Sequence, residues 1–348
     1  MSNKSSVLFL MLFFLVTCLS SVDAQDVHFS QMPFSPLLLN PALAGANQSN
    51  QASLVYRDQW KNSQAQFTTI YAGYDQRFRE NMENGFISGG VHFYSDKAGD
   101  CKLTTNYAGL TIGYHVKLSS KQLLGLCVQP SFGQRTVDYG ALRWGMQYDG
   151  NGYNGAMPTG EPNGAANQIG FLDMNAGLLY TFKSSEHYMT ANDHLLINIG
   201  YSVNHINKPK YTFYGTNEER LFIKHVLFAN TQIGLNNSKL SLMPGVYVML
   251  QGPQKEILIG NYFRYSLQDK SVYTGIKKGS AISLGGFYRV GDAFVIKGML
   301  DWSQFSFGFA YDLNLSSYAN ASRGRGGFEL ALRFVSPNPF GGPSKSRI

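Results

Sequence analysis

The chain has 348 residues, including 37 Gly, 21 Tyr and 24 Phe; 15% of its residues are charged, and the formal net charge is +7. So much aromatic surface excludes a disordered chain. After residue 20 no run of about 20 apolar residues occurs, which excludes a bundle of membrane-spanning helices. A large soluble β protein or a membrane β-barrel remains, and abundant Gly and aromatic residues favour the barrel.

The amino-terminal segment is typical of a secretory leader. Lys4 precedes an apolar stretch over 7–19, and small residues lead up to Ala24. A basic start, a short apolar core and a small-residue cleavage site define a signal peptide, which we expect over 1–24. An anchor helix and a lipoprotein acylated at Cys18 are the alternatives, but the apolar run is too short to span a membrane.

From residue 51 onward, apolar and polar residues alternate. Over 305–313, Phe, Tyr and Leu side chains share one face, and Ser, Gly, Ala and Asp side chains share the other. Because successive side chains of a strand point to opposite faces, each segment has one apolar and one polar face. The alternation predicts strands near 51–60, 66–79, 85–94, 104–118, 121–134, 169–182, 193–204, 221–234, 239–251, 255–267, 280–290, 292–301, 304–315 and 326–335.

These segments are longer than the roughly 5–6 residues of globular strands and close to the about 9–11 residues of a membrane-spanning strand. Large aromatic residues lie near the ends of the apolar faces, as in barrels with interfacial girdles. We therefore predict an all-β fold, a transmembrane antiparallel β-barrel of about 14 strands over 51–336, in the outer membrane of a Gram-negative bacterium. A soluble sandwich shows the same alternation and is the alternative.

The connections between predicted strands differ in length. With both termini periplasmic, the long connections over 135–168 and 205–220 would lie outside the cell, as is usual in outer-membrane barrels. The stretch 268–279 would be a rather long inner connection. Residues 337–348 are expected to form a carboxy-terminal tail.

Short motifs stand in order near both ends of the mature chain. They are QDVHFSQ at 25–31, NPALAG at 40–45, YRDQW at 56–60, YRVGDA at 288–293, YD at 311–312 and GGFE at 326–329. Together they resemble the motifs of the PorP/SprF family of the type IX secretion system. The resemblance runs from about residue 25 to residue 334.

The resemblance implies a non-enzymatic outer-membrane barrel that assists type IX export or surface anchoring of cargo proteins, including gliding adhesins. It also implies contact with the C-terminal signal domain of the cargo and with periplasmic secretion and motility components. We expect the long outer loops to decide which cargo is bound. A porin or transporter for solutes or hydrophobic molecules is the alternative function.

Residues 25–50, which precede the first strand, carry the first candidate site. In one interpretation they form a simple connecting turn, since Pro restricts φ and Gly permits a turn. In the other they fold into the lumen as a plug. The motif residues of this segment are Phe29, Ser30, Gln31, Asn40, Pro41 and Gly45.

A set of charged residues on the polar faces forms the second candidate site. Because a charge facing lipid would cost several kcal/mol, these side chains are expected to point into the lumen, paired or hydrated. They form either a structural ion-pair network or a docking surface for a peptide or signal domain. The residues are Arg57, Arg289, Lys297, Asp301, Asp312, Glu329 and Arg333.

Other patterns define the expected surroundings of the barrel. Aromatic residues predicted at the lipid interface are Tyr56, Trp60, Tyr201, Tyr311 and Phe334. Outer-membrane lipid is therefore an expected partner, and lipopolysaccharide is another, because Arg323 and Arg325, which are expected in the last outer loop, add to a positive net charge. No catalytic constellation or metal site is recognised, no cofactor is expected, and the dispersed basic residues argue against nucleic acid.

Overall fold

The computed structural model describes residues 26–60, 66–78, 82, 84–99, 102–160, 167–184, 192, 194–213, 219–268, 279–315 and 325–335. The expected leader over 1–24, the tail over 337–348 and Arg323 lie outside these residues. No helix in the described part of the chain has the length and apolar character that a membrane crossing requires.

The described residues form fourteen strands. These are β1 (Asn50–Gln59), β2 (Phe67–Phe78), β3 (Gly85–Ala98), β4 (Leu103–Ser119), β5 (Gln122–Thr136), β6 (Gln168–Ser184), β7 (Leu195–Asn204), β8 (Lys224–Gly234), β9 (Leu240–Gln251), β10 (Gln254–Gln268), β11 (Ser280–Arg289), β12 (Ala293–Trp302), β13 (Phe305–Asn314) and β14 (Arg325–Val335). Each strand pairs with its neighbours in sequence, and β1 pairs with β14, which closes the barrel. The predicted antiparallel barrel of 14 strands is confirmed.

The strand ends differ from the predicted ends by a few residues. The largest difference is at β3, which was predicted to end at residue 94 and continues to Ala98. This extension is polar, so the apolar pattern does not reveal it, but its backbone pairs with the first residues of β2. Arg325 is the first residue of β14 and not a loop residue, because it pairs with Leu313 of β13.

The two faces of the barrel wall have opposite character. Outward-facing Leu54, Leu110, Leu126 and Phe263 are exposed, each by more than half of its surface. Buried polar residues occupy the alternate positions of the same strands. An apolar outer face and a polar inner face are what a membrane barrel requires, so the large hydrophobic residues outside are a lipid-facing belt.

Residues 26–49, which we call the plug, lie inside the barrel. The plug contains one helical turn, α1 (Pro36–Leu39), between 3₁₀ turns at Met32–Phe34 and Pro41–Leu43. Its backbone carbonyls receive hydrogen bonds from opposite sides of the wall: Gln129 Nε2 of β5 donates to Leu37 O at 3.2 Å, and Lys297 Nζ of β12, seven strands away, donates to Ser30 O at 2.5 Å. The plug therefore crosses the lumen.

The hydrophobic core of the protein lies between plug and wall. On one side, Met32, Leu39 and Leu43 pack with Phe228 and Tyr247 of the wall, among other buried residues. On the other side, Phe29 and Phe34 belong to a cluster with Tyr71, Tyr94 and Tyr107. Complete burial of one such side chain stabilises the fold by about 1.5–3 kcal/mol, so the plug is an integral part of the fold.

The two ends of the barrel differ. The connections 137–167 and 205–223 lie at the end that we call the loop end, and β1 begins and β14 ends at the opposite end, which we call the terminal end. Outer-membrane barrels have short periplasmic turns and longer extracellular loops, so the loop end is the extracellular one. Most of the predicted long inner connection falls on 269–278, outside the described residues.

Candidate functional site

The plug is held at Ser30 by the carboxylate of Glu329. The backbone N–H of Ser30 donates to Glu329 Oε1 at 2.5 Å, and the backbone N–H of Gln31 donates to Glu329 Oε2 at 2.8 Å. Ser30 and Gln31 are completely buried. The two backbone N–H groups donate charge-assisted hydrogen bonds to one carboxylate, and such a bond is about twice as strong as a hydrogen bond between neutral groups.

The other polar atoms of Ser30 are also bound by the wall. Its hydroxyl donates to Asp312 Oδ1 at 2.9 Å, and accepts from Arg57 Nη1 at 3.1 Å and from Arg289 Nη2 at 2.7 Å. Its carbonyl accepts a hydrogen bond from Lys297 Nζ at 2.5 Å. Together with Glu329, one serine of the plug therefore contacts five charged side chains from five strands.

The charges around Ser30 balance one another. Arg57 pairs with Glu329 and, at 3.1 Å, with Asp312. Arg289 pairs with Asp312 at 3.0 Å and with Glu256 at 3.1 Å, and it also contacts Asp292 at 3.2 Å, whose side chain is 47% exposed and lies outside the buried cluster. We call this cluster the Ser30 lock; its members are Ser30, Arg57, Glu256, Arg289, Lys297, Asp312 and Glu329.

The Ser30 lock contains three basic and three acidic side chains, and all are buried. Lys297 also lies over the ring of Phe287, with Nζ at 3.5 Å from the centroid. Removal of one partner from a buried ion pair destabilises a protein by about 3–5 kcal/mol, because the other charge is left unpaired. The lock therefore holds the plug in one position.

Asn40 and Pro41 form the middle of the plug. Asn40 Oδ1 accepts from the backbone N–H of Ala42 at 2.8 Å, and Asn40 Nδ2 donates to Leu178 O of β6 at 3.1 Å. Pro41 begins the next 3₁₀ turn, where Pro needs no N–H partner. A Cβ at Gly177 would lie 2.0 Å from Asn40 Oδ1, so only glycine permits this approach between plug and wall.

Gly45 lies where the plug turns toward β1. Its φ is +63°, which disfavours residues with a Cβ, and a Cβ there would lie 2.8 Å from Arg77 Cγ. The N–H of Gly45 donates to Asp75 Oδ2 at 2.8 Å, and its carbonyl accepts from Arg77 Nε. Two charged residues of β2 therefore hold the second end of the plug.

Asp301 and Arg333 do not belong to the lock. Asp301 pairs with Arg264 and lies 3.8 Å from Arg333, measured from Oδ1 to Nη2. Ser306 links the two, since it donates to Asp301 at 2.6 Å and accepts from Arg333 at 3.0 Å. The predicted lumen charges therefore divide into two groups at different heights, because alternation indicates the face of a residue and not its neighbours across the lumen.

The second group lines a cavity of about 860 Å³. The cavity lies between the plug and the terminal end, with Met32, Pro36 and Leu43 of the plug on one side and Tyr247 and Tyr262 among the wall residues. We call it the vestibule. Residues at strand ends, including Gln268 and Val335, line it as well, so it opens at the terminal end.

The residues that hold the start of the plug form a cluster that was not predicted from the sequence. His205, which follows β7, donates from Nε2 to Asp26 at 2.6 Å and from Nδ1 to Asp173 at 2.7 Å. Lys224 Nζ lies 3.7 Å from Asp26 Oδ2. We call these four residues the Asp26 latch; it lies at the loop end, because Lys224 begins β8 and His205 follows the last residue of β7.

The latch residues outside the strands have shifted pKa values. Burial alone would lower the pKa of His205, but the carboxylates of Asp26 and Asp173 outweigh burial and raise it to about 10. Burial would raise the pKa of Asp26, but His205 and Lys224 hold it well below its ordinary range. Both groups are therefore charged near neutral pH. Asp26 lies in the first sequence motif, but nothing in the sequence shows its pairing with His205.

The aromatic residues predicted at the lipid interface lie near both ends of the barrel. Tyr56 contacts Phe328 at 5.9 Å between ring centroids, and Phe334 contacts Phe305 at 5.1 Å. Tyr56 lies in the loop-end half of β1, and Phe334 lies at the terminal end. The other three also lie toward the loop end: Trp60 follows β1 and contacts Phe67, Tyr201 is exposed near the end of β7, and Tyr311 is near the end of β13.

One group of potentially reactive side chains lies behind the plug. His115 Nε2 is 3.0 Å from Ser88 Oγ, and the free thiol of Cys127 is 3.7 Å from the same oxygen. All three residues are buried, and they do not line the vestibule, so they belong to the packing of the wall. Within the described residues, no group of three or more His, Cys, Asp or Glu side chains is placed to hold a metal ion.

The closed wall, the lipid-facing belt and the occupied polar lumen define a plugged outer-membrane β-barrel. A sequence model of the family described as type IX secretion system membrane protein PorP/SprF matches residues 21–334. The chain belongs to this family and is a barrel of the outer membrane associated with type IX secretion. The family and the fold are non-enzymatic in kind.

Solved outer-membrane barrels are similar to this chain at low identity. The translocator domain of autotransporter NalP from Neisseria meningitidis is 11% identical, with 88% of this chain and 96% of that chain covered and a TM-score of 0.39. An outer membrane channel from Pseudomonas putida F1 is also 11% identical, with 89% and 99% covered and a TM-score of 0.39. No curated protein matches the chain.

Proposed function

We propose that this barrel assists export or surface anchoring of cargo proteins by binding their C-terminal signal domain, and that it neither conducts solutes nor catalyses a reaction. The observation that carries the proposal is the Ser30 lock. A channel needs an open lumen, whereas buried ion pairs and a hydrophobic core hold this plug across the lumen. A barrel with a fixed plug is suited to binding.

The loop end supplies a surface for the cargo. In the connection between β5 and β6, the large side chains of Met146, Tyr148 and Tyr153 are exposed by 66%, 61% and 47%. Exposed Tyr and Met are common at protein interfaces, because they bring much apolar area with few fixed partners. We infer that cargo binds here, at the extracellular side of the barrel.

The second long connection is fixed to the ends of β5 and β6, the strands that flank the first. Arg135, at the end of β5, lies over the ring of Tyr211, with Cζ at 3.7 Å from the centroid. Tyr211 also contacts Phe171 of β6, and Asn207 Nδ2 donates to Leu172 O at 2.8 Å. These contacts support a rigid platform, which lowers the entropy lost when a partner binds.

Co-purification of cargo with loop variants tests the proposal. We expect removal of 137–168 or of 206–219 to abolish recovery of a secreted protein that bears a C-terminal signal domain. Removal of 61–65, a connection at the same end, is the matched control and should leave recovery unchanged. If deletion of the gene leaves every exported surface protein in place, the proposal is wrong.

Conductance separates this function from the alternative of a porin or transporter. We expect the purified barrel in planar bilayers to show no steady solute or ion conductance. Steady conductance of the intact protein would favour transport. Outer-membrane lipid around the belt, lipopolysaccharide at the loop end and periplasmic secretion or motility components remain proposed partners, and cross-linking in the native membrane tests each of them.

A further inference from the structure

We propose that the vestibule is a docking site for a polypeptide segment that carries a carboxylate and enters from the terminal end. The cargo surface proposed above lies at the opposite end, so this site goes beyond that function and does not depend on it. The partner would be a periplasmic polypeptide, since the terminal end faces the periplasm.

The shape of the vestibule suits a ligand. Its volume of about 860 Å³ lies in the range of about 300–1,000 Å³ that is typical of binding sites. The plug closes it on the loop side, and residues such as Gln268 and Val335, the last residues of their strands, line its opening. A segment can therefore enter from one direction only and ends against the plug.

The uncharged polar lining matches a peptide backbone. Asn198, Asn230 and Gln232 on neighbouring strands are among several amide side chains of this wall, and Ser and Thr hydroxyls line it too. Amides provide donors and acceptors together, as the N–H and C=O groups of an extended segment require. Asn198 Nδ2 donates to Asn230 Oδ1 at 3.0 Å, and Gln232 bonds His194 at 2.9 Å, so part of this capacity is used within the wall. Each amide has two donor hydrogens and two acceptor lone pairs, and a polypeptide can use the remaining capacity, whereas a hydrocarbon chain cannot.

The apolar lining supplies contacts for side chains of the segment. Met32 and Leu43 of the plug and Met243 and Pro244 of β9 are among the apolar residues that line the vestibule. Met adapts its shape to irregular partners, and apolar lining with a few polar groups is typical of ligand sites. The plug itself thus forms part of the binding surface.

Basic side chains outnumber acidic side chains in the lining of the vestibule. Among the described residues that line it, those that carry a formal charge are Arg264, Asp301 and Arg333. Their side chains are 26%, 17% and 20% exposed, so an incoming group can reach them. Two positive charges share one carboxylate, and a carboxylate on the segment would complete the pairing as its own water is removed.

Retention of two matched peptide pools by the purified full-length barrel tests this site. One pool consists of randomised acetylated hexapeptides with a free C-terminal carboxylate, and the other is the same pool amidated. We expect the barrel to retain the carboxylate pool about tenfold more strongly, a difference of about 1.4 kcal/mol. Equal retention of the two pools, or retention of neither, overturns the proposal, as does stronger retention of an oleate probe.

Variants connect the retention to the vestibule. Arg264→Gln with Arg333→Gln should abolish the preference, whereas Lys117→Gln with Lys121→Gln, which removes two exposed charges at the same end, should preserve it. A preference that persists without Arg264 and Arg333 contradicts the proposal. Leu196→Trp, which fills the vestibule from β7 without a charge change, should reduce retention of both pools, and unchanged retention would place the peptides elsewhere and overturn the site.

Two readouts keep this test independent of the proposed function. Heat-modifiable gel mobility shows whether each variant is folded. Cargo recovery through the loop end should be unchanged in the vestibule variants, and loop removal should leave peptide retention unchanged. Failure of the vestibule proposal and failure of cargo binding therefore give different results.

Discussion

The Ser30 lock and the vestibule use the same residue types on neighbouring strands, but they differ in burial and in charge balance. In the lock, the side chains of Arg57, Glu329 and Asp312 are 1%, 2% and 4% exposed, and three basic residues face three acidic ones. In the vestibule, two basic residues share one acidic residue, and water reaches all three. Buried charges that are matched in number stabilise a structure, whereas partly exposed charges without an equal number of opposite charges are available to bind a partner.

The height of a residue along the strand decides to which region it belongs. Glu329 and Arg333 lie four residues apart on the same face of β14, which corresponds to about 13 Å at strand rise. The first reaches the plug at Ser30, and the second lies where the lumen widens into the vestibule. Variants in the plug, in the lock and in the vestibule test this difference between the two regions.

Deletion of residues 27–46, the central part of the plug, should open the lumen. We expect steady conductance in planar bilayers from a barrel that is otherwise closed, because the described wall encloses no other obstruction of comparable size. Arg333→Gln serves as the control and should leave the barrel closed, since it removes no contact to Ser30. A deletion variant that folds and still does not conduct would show that other parts of the chain close the lumen.

Arg57→Met should lower the free energy of unfolding by about 3–5 kcal/mol, because Asp312 and Glu329 lose a buried partner. Arg333→Met is the matched change in the vestibule and should lower it by clearly less, because the side chains of Arg333 and Asp301 are 20% and 17% exposed and water can replace part of the lost pairing. Denaturant titration of gel mobility in detergent measures both. Similar losses in the two variants would remove the distinction between the lock and the vestibule.

Gly45→Ala should lower the free energy of unfolding by about 1–2 kcal/mol, because a residue with a Cβ is strained at positive φ and the Cβ would also crowd Arg77. Gly155→Ala, in the connection between β5 and β6, provides a control where the nearest atom to a Cβ is 3.4 Å away. The same titration detects the difference, and an unchanged midpoint for Gly45→Ala would contradict this account of the plug.

The smallest effect is a local dependence of the Asp26 latch on pH. The pKa of His205 is raised from 6.5 to about 10, so its contribution is complete below pH 6.5 and is lost as the pH rises through 10. The pKa of Asp26 is lowered, so its contribution is present above about pH 4 and is lost at lower pH. The latch should therefore loosen on the alkaline side while the lock still holds.

Thiol labelling of a Val27→Cys variant at increasing pH measures this loosening, with Cys101 and buried Cys127 both replaced by Ala as background. We expect labelling of residue 27 to increase between pH 7 and pH 10, after correction for the ionisation of the thiol itself. His205→Gln should remove this pH dependence and raise labelling throughout. Identical profiles with and without His205 would show that the latch does not hold the plug.

Alternation was sufficient to predict the strands. The faces of Arg57, Asp312 and Glu329 followed from it, and so did their contiguity once β1 closes on β14. Prediction failed at Asp26 and His205, because these residues lie outside regular strands and have no periodic pattern. Prediction from the sequence also placed Asp301 and Arg333 in one group with the lock residues. Alternation shows which face of the wall a side chain lies on, but not its level along the barrel axis.

The sequence by itself determined the barrel, its lipid-facing belt and its PorP/SprF motifs, because these depend on local periodicity and on short ordered elements. Only the tertiary structure decided that Ser30 lies among the charges of β1 and β11–β14. Ser30 and Glu329 are 299 positions apart, and a contact over such a distance exists only after the barrel has closed in register. The position of the plug divides the lumen into the buried lock and the partly exposed vestibule. That position depends on contacts with many strands of the wall at the same time.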